Sequence, residues 1–327
     1  MKKVRRIVRL FILPLLVLWL LAWGILCQPV FPGGRKSAVS VDPEALKKHV
    51  RVISEDFFPR DCLNVRNLDR CSDYIRAEFE KTGARIRVQE YSENGRSYRN
   101  VIARFGRSDE NLLIVGAHYD ACGPMPGADD NASGVAGLIE LVGLLGRAPL
   151  DRNVELVAYS TEEPPYFRSP SMGSAVHAKE LRESRINVRG VVILEMIGCF
   201  SDDWMSQDFP FPLLRLFYPS RGNYIAVVGK LDQWAFMRAL KKNMQGATSL
   251  PVYSINAPAS LPGVDFSDHL NYWETGWNAV MVTDTSFYRN HDYHDESDVW
   301  SRLDYNRMAE AVVAVYEGIK KLSPAMP

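Results

Sequence analysis

The sequence predicts an α/β layer sandwich with a mostly parallel central sheet, preceded by one N-terminal transmembrane helix. Three observations carry that expectation. Strand-like and helix-like stretches alternate along most of the chain. Acidic and histidine clusters fall just past strand-like runs, where open α/β sheets collect ligands. Leu10 to Cys27 form one apolar run without a charge. The 327 residues, 46% hydrophobic and 24% charged, supply enough apolar material for one large core or two modest ones. The 39 basic and 39 acidic residues cancel, and no basic stripe is interleaved with aromatics, which argues against nucleic acid as a partner.

The N-terminus reads as a separate object. Lys2, Lys3, Arg5, Arg6 and Arg9 make residues 1–9 a basic stub, and residues 10–27 are just long enough to cross a bilayer. The run is longer than a usual signal core and lacks a clear small-residue cleavage site, so an uncleaved transmembrane anchor is favoured over a removed signal. Basic residues before the span place the N-terminus in the cytoplasm and everything after about residue 28 outside it. Residues 28–42, with Pro29, Pro32, Gly33 and Gly34, read as a linker, and residues 43–327 as the folded body.

Asp42-Pro43-Glu44 has the form of a helix N-cap with proline in the first turn, and Ser72 to Lys81 is a second helix that Gly83 ends. Arg85 to Gln89 and Asn100 to Phe105 alternate as half-buried strands, whereas Asn111 to Ala117 is apolar enough for a fully buried one. Further strands are expected at Val154 to Tyr159, Val191 to Leu194, Tyr224 to Val228 and Ala279 to Val282. Helices are expected at Ala132 to Leu145, Ser174 to Glu183, Leu231 to Asn243 and Leu303 to Lys321.

The clusters carry the chemistry. His118 ends a strand and Asp120 shares its face two residues later, placed to accept the other imidazole N–H. Asp129-Asp130 lies between glycines before an apolar helix. Capping explains one aspartate, and close backbone packing around a carboxylate that bridges two cations explains the pair, with Asp130 as the bridge. Glu162-Glu163 ends another strand, where a metal lets one carboxylate coordinate while its neighbour moves protons. Glu195 interrupts an otherwise apolar strand and calls for a cation or a proton. His294 and Asp298 lie in a polar stretch before the last long helix. Two adjacent divalent ions polarise a carbonyl and acidify water, so a two-metal hydrolase is the leading reading.

Together, Gly-Ala-His-Tyr-Asp (116–120), Gly-Ala-Asp-Asp-Asn-Ala-Ser-Gly (127–134), Thr-Glu-Glu (161–163), Leu-Glu-Met-Ile-Gly (194–198), Ser-Asp-His (267–269) and Tyr-His-Asp-Glu-Ser-Asp (293–298) resemble the M28 family of zinc exopeptidases. The resemblance covers roughly residues 100 to 315 and implies a three-layer sandwich around a mixed eight-stranded sheet, with two zinc ions, or manganese or cobalt in their place. It implies that His118 and Glu195 hold one ion, Glu163 and His294 the other, and Asp130 both. Glu162 is then the general base, Asp120 orients His118, and Asp129, Asp268 and Asp298 support the ligands. A cis peptide between Asp130 and Asn131 is also implied. The activity implied is removal of N-terminal residues from peptides with a free N-terminus. A glutaminyl-cyclase-like single-zinc enzyme and a non-catalytic ectodomain are the alternatives.

Two departures from the family pattern bear on the site. Glutamate stands at 195 where many relatives have aspartate, and Val264-Asp265-Phe266 precede Ser267 where relatives can place a tyrosine donor. Asp265 is read as the receiver of the substrate ammonium, with Phe266 and Tyr166 beside it. Trp204, Phe209, Phe211, Phe217 and Tyr218 line a side-chain pocket or simply pack an insert, with packing favoured. Cys62 with Cys71, and Cys122 with Cys199, are possible bridges in an oxidising compartment, although spacing does not fix connectivity.

Overall fold

The computed structural model describes residues 11–32, 36–106, 110–148, 150 and 152–322. Eight strands form one mixed sheet: β1 (Arg85–Glu93), β2 (Arg96–Phe105), β3 (Leu112–His118), β4 (Val154–Tyr159), β5 (Val188–Glu195), β6 (Ile225–Lys230), β7 (Val252–Ala257) and β8 (Ala279–Thr283). Their spatial order is β1-β2-β4-β3-β5-β8-β6-β7. The four central strands β4, β3, β5 and β8 run parallel, β1 and β2 form an antiparallel hairpin beside β4, and β6 pairs antiparallel with β8. Parallel strands need both faces covered, which is why β3 and β4 are buried throughout and apolar apart from His118 and Glu155.

Helices supply the two outer layers. On one face Leu113, Val115 and Ala117 of β3 meet α2 (Pro43–Arg51), α3 (Val65–Glu80), α4 (Gly134–Arg147), α6 (Trp234–Met244) and α8 (Tyr305–Lys320). On the other, Leu112 and Ile114 meet α5 (Gly173–Glu183) and α7 (His269–Trp273). The odd-even division follows from the two-residue period of a strand. Asp42 caps α2 as expected, its carboxylate accepting from Glu44 N (3.0 Å) with Pro43 at the first position. Gly116 is required where β3 crosses Tyr159, since a Cβ there would stand 2.2 Å from the Tyr159 ring.

The expected strands and helices are present within a few residues, except that α3 begins at Val65 and not at the expected Ser72, and two elements were not anticipated. Strand β7 carries Ser254 and Asn256 at buried positions, which breaks the apolar alternation, and α7 is only five residues long.

The expected basic stub 1–9 and residue 10 of the expected span lie outside the described residues. The rest of the apolar run forms α1 (Leu13–Cys27), and among the described residues no helix is long and apolar enough to cross a membrane. Most of the apolar side chains of α1 are exposed, and its last turn is docked on the body. Lys241 Nζ donates to Cys27 O (2.7 Å), Ser254 Oγ donates to the same carbonyl (2.9 Å), and Trp19 stacks on Phe217. A cation at the C-terminal carbonyls of a helix also meets the negative end of its dipole. Downstream, Ser37 N donates to Ala247 O (2.8 Å) and Val41 joins the core. The suggested disulfides are absent, all five cysteines being free thiols. Cys62 and Cys71 both pack in the main core, while Cys122 and Cys199 each sit in a different acidic cluster.

Gly116→Ala, which forces the Tyr159 ring off β3, should lower unfolding stability by about 1–3 kcal/mol. Urea denaturation followed by tryptophan fluorescence checks this, and an unchanged midpoint contradicts the packing argument.

Candidate metal centre

Because β3, β4 and β5 are parallel neighbours, their C-terminal ends lie side by side, and each end delivers part of one cage. His118 is the last residue of β3, Glu162-Glu163 follow β4 by two residues, and Glu195 is the last residue of β5. Asp130 enters from the loop before α4, and His294 from the loop before α8. These six residues, dispersed in sequence, converge.

Asp130 stands in the middle. Its Oδ1 lies 3.4 Å from His118 Nε2 and its Oδ2 lies 3.1 Å from His294 Nε2. Glu195 Oε2 approaches His118 Nε2 at 3.3 Å, and Glu163 Oε2 approaches His294 Nε2 at 3.2 Å. Each imidazole therefore has its own glutamate, with one aspartate oxygen pointing at each. The longer arm of Glu195 is accommodated, because Ser267 Oγ donates to its Oε2 (2.7 Å). Glu162 Oε2 is 3.9 Å from His118 Nε2, at the edge of the cage.

Second-layer groups hold this arrangement. Asp298 accepts from Asp129 N (2.9 Å) and Asp130 N (3.1 Å), fixing the loop that presents the bridge. Asp129 faces away, accepting from Gly198 N and Asn290 Nδ2 (both 2.9 Å). Asp120 lies 3.4 Å from His118 Nδ1, and its two oxygens accept from Glu162 N and Glu163 N (both 3.1 Å). One carboxylate thus ties the end of β3 to the turn after β4. Asp268 is fully buried, and burial pushes its carboxyl up to about 7. The Asp130–Asn131 peptide is cis. Gly127, at φ 54°, is obligatory: a Cβ would stand 2.1 Å from Asp130 O.

Three supporting residues escaped the sequence reading. Asn131 donates to Leu194 O (2.8 Å) and accepts from Met196 N (3.0 Å), locking the bridging loop to the end of β5. Ser267 sits inside the Ser-Asp-His motif, whose aspartate drew attention instead. Arg60 is wholly buried, and its guanidinium donates to Tyr119 O (3.0 Å), Pro126 O, Gly127 O and Asp130 O (3.4 Å). Nothing in Phe58-Pro59-Arg60 announces that role.

The electrostatics describe a cage short of positive charge. Burial drives Glu162, Glu163 and Glu195 upward, with Glu163 reaching about 8. Asp130 goes the other way, because its contacts with the two imidazoles outweigh burial. Burial alone would lower His118, but Glu195, Glu162 and its aspartate partners raise it well above the usual range. Glu163 Oε1 and His294 Nε2 are buried without a hydrogen-bond partner among the described residues. Protonation relieves such crowding only in part, whereas oxygen and imidazole donors at this density suit divalent zinc.

The cage opens into a cleft of about 260 Å³. Strands β6 and β7 run opposite to β8, so their first residues, Tyr224 and Tyr253 among them, lie beside the ligand-bearing ends and line it. Phe266, Phe209 and Tyr218 also line it, while Trp204 and Phe211 are exposed and Phe217 packs on α1. Two expected substrate residues are elsewhere. Asp265 is held by Arg168 at 2.5 Å outside the cleft lining, and Tyr166 turns inward to pack edge-on against Tyr98. The tyrosine at the site is Tyr293, stacked on the His294 ring at 3.8 Å.

Ser267→Ala, which frees the Glu195 arm, should weaken metal at the His118 position by about 10–100-fold. Competition with a chromogenic chelator measures it, and unchanged affinity contradicts the role of Ser267.

Residues 100–317 match the model of Peptidase family M28. The chain is 42% identical over 314 residues to Uncharacterized protein YfbL of Escherichia coli, covering 94% of this chain and 96% of the relative. It is 25% identical over 222 residues to Aminopeptidase YwaD of Bacillus subtilis, which spans 64% of this chain and 42% of that protein. In three dimensions it is similar to the LapA aminopeptidase of Legionella pneumophila (TM-score 0.67, 20% identity, covering 86% of this chain and 72% of that one). It is equally similar to a glutaminyl cyclase of Bacteroides thetaiotaomicron (TM-score 0.66, 17% identity, covering 87% and 99%). Fold, ligand order and family match agree: the chain belongs to peptidase family M28.

Proposed function

We propose that this chain is a two-zinc aminopeptidase, attached to a membrane, that removes apolar N-terminal residues from peptides outside the cytoplasm. The observation that carries the reading is the pair of Asp130 oxygens directed at two different histidines, His118 and His294. His118, Asp130 and Glu195 would hold one zinc, and Asp130, Glu163 and His294 the other; manganese or cobalt suits the same donors. When bound, such a pair supplies a polarised carbonyl and a water acidic enough to attack near neutral pH.

The chain's own residues do the rest. Glu162 stands at the cage edge with its backbone anchored to Asp120 Oδ1, which leaves the carboxylate free to take the proton of the attacking water and pass it to the leaving amine. Burial raises that carboxyl well above its usual range, which makes it a stronger base than a solvent-exposed glutamate. Burial also keeps the Tyr293 phenol protonated, a neutral donor beside His294. Tyr224, Val228, Tyr253, Ile255, Val264 and Met281 give the cleft an apolar wall suited to a bulky N-terminal side chain.

A glutaminyl-cyclase reading has one observation in its favour, the likeness to the Bacteroides cyclase. The complete pair of ligand sets favours two metals and hydrolysis. Membrane attachment is supported by the exposed leucines of α1, among them Leu15, Leu18 and Leu21, and by the five basic residues before it. Leu214 and Tyr218 line the cleft and also pack with the end of α1, so the mouth of the site would face along the lipid surface.

Zinc analysis combined with a screen of free and N-blocked peptides tests the proposal. Two zinc ions per chain and cleavage of free N-termini alone are expected; cleavage of blocked peptides alone, or one zinc with cyclisation of N-terminal glutamine, contradicts it. Glu162→Gln should retain both ions and lose about 10²–10⁴-fold in kcat. Unchanged turnover rejects Glu162 as the base.

A further inference from the structure

Cys122 lies four residues past His118, in the loop leaving β3, and is half-buried. Its Sγ, a carboxylate oxygen of Glu163 and a ring nitrogen of His294 all lie within 4.8 Å of one another. The thiol lies against the His294 imidazole. Beside it, Glu163 Oε1 is buried and has no hydrogen-bond partner among the described residues. Donors around a single tetrahedral zinc stand about 3.5 Å apart, so a small side-chain adjustment gathers all three.

The two halves of the cage are therefore unequal. The His118 position has three protein donors, His118, Asp130 and Glu195. The His294 position has Asp130, Glu163 and His294, and Cys122 lies beside the last two as a candidate fourth donor. Four protein donors close a tetrahedral zinc site, whereas three leave a coordination position open for water or substrate.

Resting on the two-zinc reading above, we propose that Cys122 is the fourth protein ligand of the second ion. The His294 ion is then held by the larger donor set, and the His118 ion keeps the open position. On binding, the S–H bond breaks, the sulfur lone pair forms the bond to the cation, and the proton leaves to solvent. A thiolate also makes this half softer than an all-oxygen and imidazole set, which favours zinc over manganese there.

Zinc-edge X-ray absorption on the loaded wild-type protein and on Cys122→Ser tests the assignment independently of activity. The wild type should show one sulfur neighbour per two zinc ions at about 2.3 Å, and Cys122→Ser should lose it. Two zinc ions with only nitrogen and oxygen neighbours in the wild type overturn the proposal and leave the two-zinc reading intact. A sulfur shell that survives in Cys122→Ser also overturns it, and points to Cys199 in the neighbouring Asp129–Asp284 cluster. One zinc per chain removes the reading on which the proposal rests.

Discussion

Four carboxylates and two imidazoles compressed into one largely buried volume are the constraint on which this molecule depends. Asp130, Glu162, Glu163 and Glu195 are all at least nine-tenths buried, so their mutual repulsion is poorly screened by water. Such an arrangement persists only if cations enter it and the surrounding backbone refuses to relax. Strain at the ligand turns shows how firmly it is held. Thr161, Met196 and His294 all adopt positive φ (57°, 50° and 57°), each at or next to a ligand or the base. Left-handed backbone at a residue other than glycine costs of order 1–3 kcal/mol, and the hydrogen bonds that Asp120, Asn131 and Asp298 accept and Ser267 donates are what keep the turns in place.

Topology explains why this cage can form from a dispersed sequence. Parallel order β4-β3-β5 sets three strand ends in a row, so His118, the Glu162-Glu163 pair and Glu195 need only short loops to meet. The reversal at β8/β6 then contributes something different: the starts of β6 and β7, with their tyrosines, wall the cleft beside the ligands. The candidate ligands come from the parallel part of the sheet and the cleft wall from the antiparallel edge.

What the sequence disclosed, and what it concealed, follows from the range of the interactions. Strands β3 and β4 were legible because double burial leaves a mainly apolar run, and His118, Glu162-Glu163 and Glu195 because each sits where such a strand stops. Strand β7 was obscured by Ser254, whose hydroxyl is spent on the Cys27 carbonyl, a contact across more than two hundred residues. Asp265 looked like a free loop carboxylate until Arg168 claimed it. Arg60 was invisible for the same reason: its partners are backbone carbonyls, which carry no residue identity to read.

Arg60 also sets the size of the working unit. It lies well upstream of the region 100–317 that carries the family signature, yet its guanidinium serves carbonyls on both sides of the bridging loop. A fragment trimmed to the signature would take the Arg60 donor away from the oxygens of Tyr119, Pro126, Gly127 and Asp130. In this protein the segment that carries Arg60 and the candidate metal centre are packed as one block, which is larger than the family signature.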